Sequence, residues 1–204
     1  MTEELTKEVA EKLMALKEEA RGMNLKNDAQ FILKYKGKEG LEAVEKELAA
    51  VGVPIKYSEI KSFAFYPVGL RALSLLAIKK AFDWQDDKIK EVCSFATYIT
   101  LIAKLTRALF YSPESLGKIS EQAPTIWREY FSGGELTIPE YDLEKKYCVI
   151  RIKDFSGHPV FCHCLEGYFE KLTKTVTGAK EAHCEERKCA YKGDEYHELF
   201  VTWN

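Results

Sequence analysis

Before residue 158 this 204-residue chain contains no histidine and only two cysteines, Cys93 and Cys148. It also lacks an excess of basic charge. With 30 Lys and Arg against 32 Asp and Glu, the formal net charge is -2, so no broad positive field is available to capture nucleic-acid phosphates. No run of about 20 apolar residues is present to cross a bilayer. The start, Met1-Thr2-Glu3-Glu4, has neither the basic flank nor the apolar core of a secretion signal. These absences lead to an expectation of a cytoplasmic protein whose cysteines are reduced, ligating or simply buried. His-Glu-x-x-His, a nucleophile elbow and a phosphate-cradling glycine loop are missing as well, which favours a non-enzymatic role.

What is there is ordinary globular material with one anomaly. Hydrophobic residues at 46% and charged residues at 30% suffice for a core without staples. The anomaly lies at the C-terminus. Of six cysteines and four histidines, eight fall from His158 onward: His158, Cys162, His163, Cys164, His183, Cys184, Cys189 and His197. Thiolates and imidazoles are what zinc takes as ligands, so the cluster points to metal chemistry.

The hydrophobic period is helical in the first half. Leu5, Val9, Leu13, Leu16 and Ala20 recur at three- and four-residue spacing among Glu and Lys, a narrow stripe that needs a partner. The expectation is a homodimer through these N-terminal helices. Further helices are predicted from Asn27 to Gly37, from Gly40 to Ala50, from Gly69 to Phe82, from Asp86 through Leu109 to a stop at Pro113, and from Ser120 to Phe131. Pro124 interrupts or starts the last of these. The period then changes to two. Glu135–Ile138 and Tyr147–Ile152 read as one hairpin, His158 to about Val176 as a helix, and Ala179–Ala190 with Glu195–Trp203 as a second hairpin turning at Gly193. The fold class is α+β, with helices packed on one side of an antiparallel sheet of about four strands. The predicted division is an N-terminal helical arm over 1–55 and a ligand-binding domain over 56–204.

A hairpin centred on Gly193 pairs positions whose numbers sum to about 386, which sets Cys189 across from His197. Cys184 and Glu186 share a strand face, and Cys189 needs a bulge to join Glu186. A fourth ligand comes from the first turn of the preceding helix, where the helix dipole favours a thiolate at Cys162. Cys184 in place of Glu186 remains an alternative, as does a Cys162–Cys189 disulfide.

Cys162-His163-Cys164-Leu165-Glu166-Gly167-Tyr168, then Glu186-Arg187-Lys188-Cys189, then Gly193-Asp194-Glu195-Tyr196-His197 resembles the signature of the 4-vinyl-reductase-like, hydrocarbon-binding domain. The wider superfamily implied includes haem-nitric-oxide-binding domains and TRAPP vesicle-tethering subunits. The resemblance implies a structural zinc held by Cys162, Glu186 and Cys189, with His197 where the family has cysteine, beside a pocket for an apolar or aromatic ligand.

Several residues also have plainer readings. Cys93 and Cys148, flanked by apolar neighbours, read as core; Cys164 reads equally as core or ligand; His163 and His183 read as solvent-facing. Tyr98, Trp127, Phe131, Phe155 and Phe161 are the candidate pocket wall, though any core uses aromatics. The reading that results is a sensory protein binding a hydrophobic or aromatic small molecule, with a structural zinc. The alternatives are a scaffold or assembly subunit whose cavity is filled, and an enzyme acting on tetrapyrroles.

Overall fold

Thr6 begins the first helix, α1 (Lys7–Met14), by accepting the Val9 backbone N–H on its hydroxyl at 3.2 Å, which satisfies one of the donors a helix start leaves bare. The computed structural model describes residues 4–95 and 114–204. A short strand β1 (Glu19–Arg21) follows, then α2 (Met23–Ala50), β2 (Phe65–Pro67), α3 (Val68–Phe82) and α4 (Asp86–Ser94). Next come α5 (Glu114–Arg128), the strands β3 (Glu135–Asp142) and β4 (Tyr147–Lys153), α6 (Val160–Thr177), and the strands β5 (Ala182–Lys188) and β6 (His197–Trp203). The architecture is α+β, with a four-stranded antiparallel sheet ordered β3-β4-β6-β5 and a separate two-stranded ribbon β1-β2.

Several helix boundaries differ from the periodicity reading. The two helices expected on either side of Gly37 form one element, α2, whose continuity is interrupted at Gly37 with φ 68° and ψ -166°. That backbone state costs a glycine little, and it is why the pattern looked like two helices. Pro124 lies inside α5 and does not start it. The expected helix from Asp86 is seen as far as Ser94, and its continuation to Leu109 lies outside the described residues.

The N-terminal stripe is covered within the chain. Leu5, Val9, Ala10 and Leu13 are buried in the same core cluster as Leu73 and Leu165, and the Leu13 carbonyl lies directly against Gly69 of α3. The apolar face that suggested a dimer therefore has its partner in α3. Residues 19–21 pair with 65–67 as strands and do not continue the first helix.

In the last hairpin, Ala182↔Trp203 through Glu186↔Leu199 pair with a sum of 385, and Lys188↔Glu198 pair after a register shift between Glu186 and Lys188. The expected bulge is present. β5 is a sheet edge, and its outward N–H groups are occupied: Cys184 N donates to Glu170 Oε1 at 3.0 Å and Glu186 N to Glu166 Oε1 at 3.1 Å. Glu166 and Glu170, one turn apart on α6, thereby close an edge that would otherwise invite another strand. Lys90 of α4 offsets their charge, lying 2.7 Å from Glu170 and 3.8 Å from Glu166.

α6 approaches α4 closely because Gly167 has no side chain, and a Cβ there would collide with the Lys90 carbonyl. Gly167→Ala is expected to destabilise the fold by roughly 1–3 kcal/mol through overpacking, a fall in Tm of several degrees for a chain of this size. An unchanged thermal transition would show that the two helices can separate at no cost.

Candidate functional site

Two constellations meet on α6. The first is the Cys/Glu/His cluster. Pro159 starts the helix, and His158 just before it accepts the Val160 N–H on Nδ1 at 3.1 Å. Cys162 is thereby placed in the first turn. Its Sγ lies 3.4 Å from Cys189 Sγ, and His197 Nδ1 lies 3.0 Å from Glu186 Oε1. The ligand atoms of Cys162, Glu186, Cys189 and His197 all fall within 4.8 Å of one another, so four residues distant in sequence converge on one point. The turn after Cys189 is shaped around that residue: Cys189 N donates to Asp194 Oδ2 at 2.8 Å, and the Tyr191 ring sits edge-on to His197 at 4.5 Å between centroids. Burial raises the pKa of both thiols, with the neighbouring Glu186 charge adding to the effect.

The other cysteines and histidines are placed elsewhere. Cys184 is buried in the core cluster opposite Val201 and stays out of the converging set. His163 reaches Glu166 and Asp86 at 3.4 and 3.5 Å, its pKa raised chiefly by the Glu166 hydrogen bond. His183 is exposed beside Glu170. Cys93 and Cys164 form a disulfide between α4 and α6. That pairing departs from the reading of Cys93 as plain core, and the residues lie too far apart in sequence for spacing to have suggested it.

The second constellation is an apolar cavity of about 170 Å³ between α5, α6 and the inner face of β3 and β4. Trp127, Phe131, Phe155 and Phe161 line it. Their rings touch in sequence: Trp127 stacks on Phe131 at 4.4 Å, Phe155 stands edge-on to both at 5.2 and 5.3 Å, and Phe161 lies 5.6 Å from Phe155. Tyr98, the fifth aromatic of the expected wall, lies outside the described residues. Cys148 also lines the cavity, and burial pushes its thiol up to about 12.

Asn24, Asn27 and Arg71 are polar groups on the cavity wall; Arg71 belongs to a buried network that periodicity did not disclose, whereas the Asn24 side-chain nitrogen is buried without a hydrogen-bond partner among the described residues. Arg71 lies 3.2 Å from Asp28 and donates to the Cys93 and Cys164 sulfurs at 3.4 and 3.6 Å. Ser74 donates to Asp28 at 3.1 Å and shares a 2.6 Å hydrogen bond with Tyr57. Burial lifts the Asp28 carboxyl to about 6 against the opposing pull of Arg71. The missed signal was Asp28 itself, an acid between apolar Leu25 and Phe31 on the inner face of α2.

No protein-family model matches the chain, and no curated protein matches it. Solved structures do. An H-NOX protein from K. algicida, Fe(II) unliganded, superposes with a TM-score of 0.62 at 15% identity over 90% of this chain and 96% of that one. An H-NOX protein from S. oneidensis in the Fe(II)NO state gives 0.62 at 13% identity over 90% and 99%. An oxygen-binding H-NOX domain related to soluble guanylate cyclases gives 0.58 at 8% identity over 90% and 95%. The fold is therefore that of H-NOX domains. The haem-nitric-oxide-binding part of the expected kinship holds at the level of fold, and the 4-vinyl-reductase-like and TRAPP-like parts gain no support.

The expected structural zinc is corrected. The matching structures are described by Fe(II), its gas ligands and haem. In this chain Cys162 is hydrogen-bonded to Cys189 and His197 to Glu186.

The raised Asp28 pKa has a definite sign for stability. A carboxyl whose folded value lies above its unfolded value of about 3.9 contributes stability that is complete below pH 4 and is lost as pH rises through 6. Wild type is therefore expected to lose stability relative to Asp28→Asn between pH 4 and pH 7, by up to about 3 kcal/mol. Denaturant titrations of both proteins at those two pH values measure the gap, and a gap independent of pH would place the Asp28 titration elsewhere.

Proposed function

We propose that this chain is a non-enzymatic sensory domain that binds an apolar small molecule in the cavity between α5, α6 and the sheet. The observation that carries this reading is the apolar volume of about 170 Å³ beside four touching aromatic side chains. A core is normally close-packed with few voids larger than a water molecule. An apolar, aromatic-lined space of this size matches cavities that take up one small apolar ligand. It also favours ligand binding over the scaffold alternative, in which side chains would fill the space. The H-NOX structures that share the fold bind nitric oxide and oxygen, which adds support for a small-molecule role.

Among the described residues, no histidine or methionine lines the cavity to hold a haem iron, and Tyr130 and Tyr168 are its only tyrosines. A histidine, thiolate, tyrosine or methionine must reach the iron. All four histidines, His158, His163, His183 and His197, are among the described residues, and none lines the cavity. Cys93 and Cys164 are joined to each other, and burial holds the Cys148 and Tyr168 protons on, with both pKa values pushed up to about 12. The volume is also below the roughly 300–1,000 Å³ usual for larger ligand sites. The binding reading therefore rests on an apolar ligand that needs no axial group.

Binding to the folded state alone raises stability by about 2.7 kcal/mol at a hundredfold excess over Kd, which corresponds to roughly 5–10 °C in Tm for a chain of this size. Thermal melts with a panel of uncharged apolar compounds are expected to show such a shift for at least one member, while haemin keeps its free absorbance spectrum. A panel that leaves Tm unmoved would remove the reading.

The four converging residues Cys162, Glu186, Cys189 and His197 carry a separate proposal, that they act as one metal-ligand set. Their mutual spacing within 4.8 Å supports it, and no ion is assigned. Elemental analysis across the first-row transition metals is expected to find about one equivalent per chain in wild type and none in a Cys162→Ala/Cys189→Ala variant. Background levels in both proteins would sink the proposal.

A further inference from the structure

The shape of the ligand follows from how the cavity lining is distributed. α6 contributes lining residues from Phe161 to Thr177, about 24 Å of helix at 1.5 Å per residue. Gathered in one place, about 170 Å³ would hold a single benzene-sized ring. Lining residues spread along more than four turns of helix make the space long for its volume.

Its two ends differ. Near the start of α6, Trp127, Phe155 and Phe161 are buried, and Phe131 completes the aromatic set. Near its end, Leu172, Thr173, Val176 and Trp203 are only half-buried. The aromatic end has no spare charge either. The charge of Arg71, the cation on that side, is balanced by Asp28 at 3.2 Å, and the same nitrogen donates to the Cys93 and Cys164 sulfurs, leaving its Nε hydrogen without a partner among the described residues. An ionised head group there would leave its charge uncompensated in an apolar site.

We propose that the ligand is a single unbranched hydrocarbon chain of medium length, lying along α6 with its tail among Trp127, Phe155 and Phe161 and its polar head at the Thr173 end. This inference rests on the apolar-ligand reading above and narrows it to one molecular shape. Chain binding has a signature that ring binding lacks. Each methylene that enters the slot adds its own burial, about fourfold in affinity, until the slot is full. A fused ring is wider than one chain and cannot use the length.

The test titrates the full-length protein with 1-alkanols from butanol to decanol and with 1-naphthol, which has the same carbon count as decanol and one hydroxyl. The readout is the fluorescence of Trp127 and Trp203, both of which line the cavity. The expected result is an affinity rising about fourfold per methylene to a limiting length, with 1-decanol at least tenfold tighter than 1-naphthol. Ala123→Phe, which fills the aromatic end one turn before Trp127, is expected to move that limit to a shorter chain. If 1-naphthol binds as tightly as 1-decanol, or if the series has no limiting length, the chain proposal is overturned and the apolar-ligand reading stands. If neither compound binds, the apolar-ligand reading falls with it. The wild-type series decides between these outcomes even if Ala123→Phe fails to fold.

Discussion

The close approach of α4 and α6 at Gly167 is the constraint on which the rest of the structure depends. With a hydrogen in place of a side chain, the Lys90 carbonyl can sit against the α6 backbone, and α6 is then held at one height over the sheet. From that position its side chains divide by helical period. Cys162, Glu166 and Glu170, four residues apart, face the β5 edge, where two of them cap backbone donors and the third meets Cys189. Phe161, Leu165, Phe169 and Leu172 face the other way, toward the cavity. One glycine thus sets both the cluster and the pocket wall. The Cys93–Cys164 disulfide joins the same two helices one turn from Gly167.

The sequence disclosed the parts of the fold in which local period and turn chemistry agree. The last hairpin is the clearest case. Its glycine turn alone led to pairing sums within one unit of those observed, and the odd spacing from Glu186 to Cys189 required the bulge that is present. Local period cannot disclose which element covers a stripe. Leu5, Val9 and Leu13 looked unpartnered because α3, the helix they pack on, begins more than fifty residues later. The same limit hid the Cys93–Cys164 pair and the Asp28–Arg71–Ser74–Tyr57 network, in which every partner comes from another part of the chain.

The two candidate sites were legible to different degrees for a related reason. Ligand-type residues are rare, and a hairpin register set Cys189 beside His197, while the choice of Cys162 and of Glu186 over Cys184 came with the family resemblance. Aromatic residues are common and belong to cores as well as to pockets. Nothing at Trp127, Phe131, Phe155 or Phe161 taken singly separates lining a space from filling one. The distinction is a property of packing: whether the rings interlock to native density or leave a gap along α6.

A shared fold with unshared chemistry is the physical expectation when identity falls to 8–15%, because the layer arrangement constrains burial pattern far more than it constrains any one polar side chain. In this chain the helices and sheet follow the H-NOX arrangement, while histidine, the side chain best suited to hold iron, occurs only at His158, His163, His183 and His197, away from the cavity. Removing a bulky flat group from a core ordinarily obliges side chains to collapse into the space, since an empty volume costs stability in proportion to its size. In this chain aromatic rings on α5, α6 and the β4–α6 loop pack against one another, and Arg71 pairs inward with Asp28. Beside them a cavity of about 170 Å³ is left unfilled. Next to a well-packed core, in which Ile32, Leu73, Ile78 and Leu199 are fully buried, such a volume carries a stability cost that an apolar molecule filling it would offset.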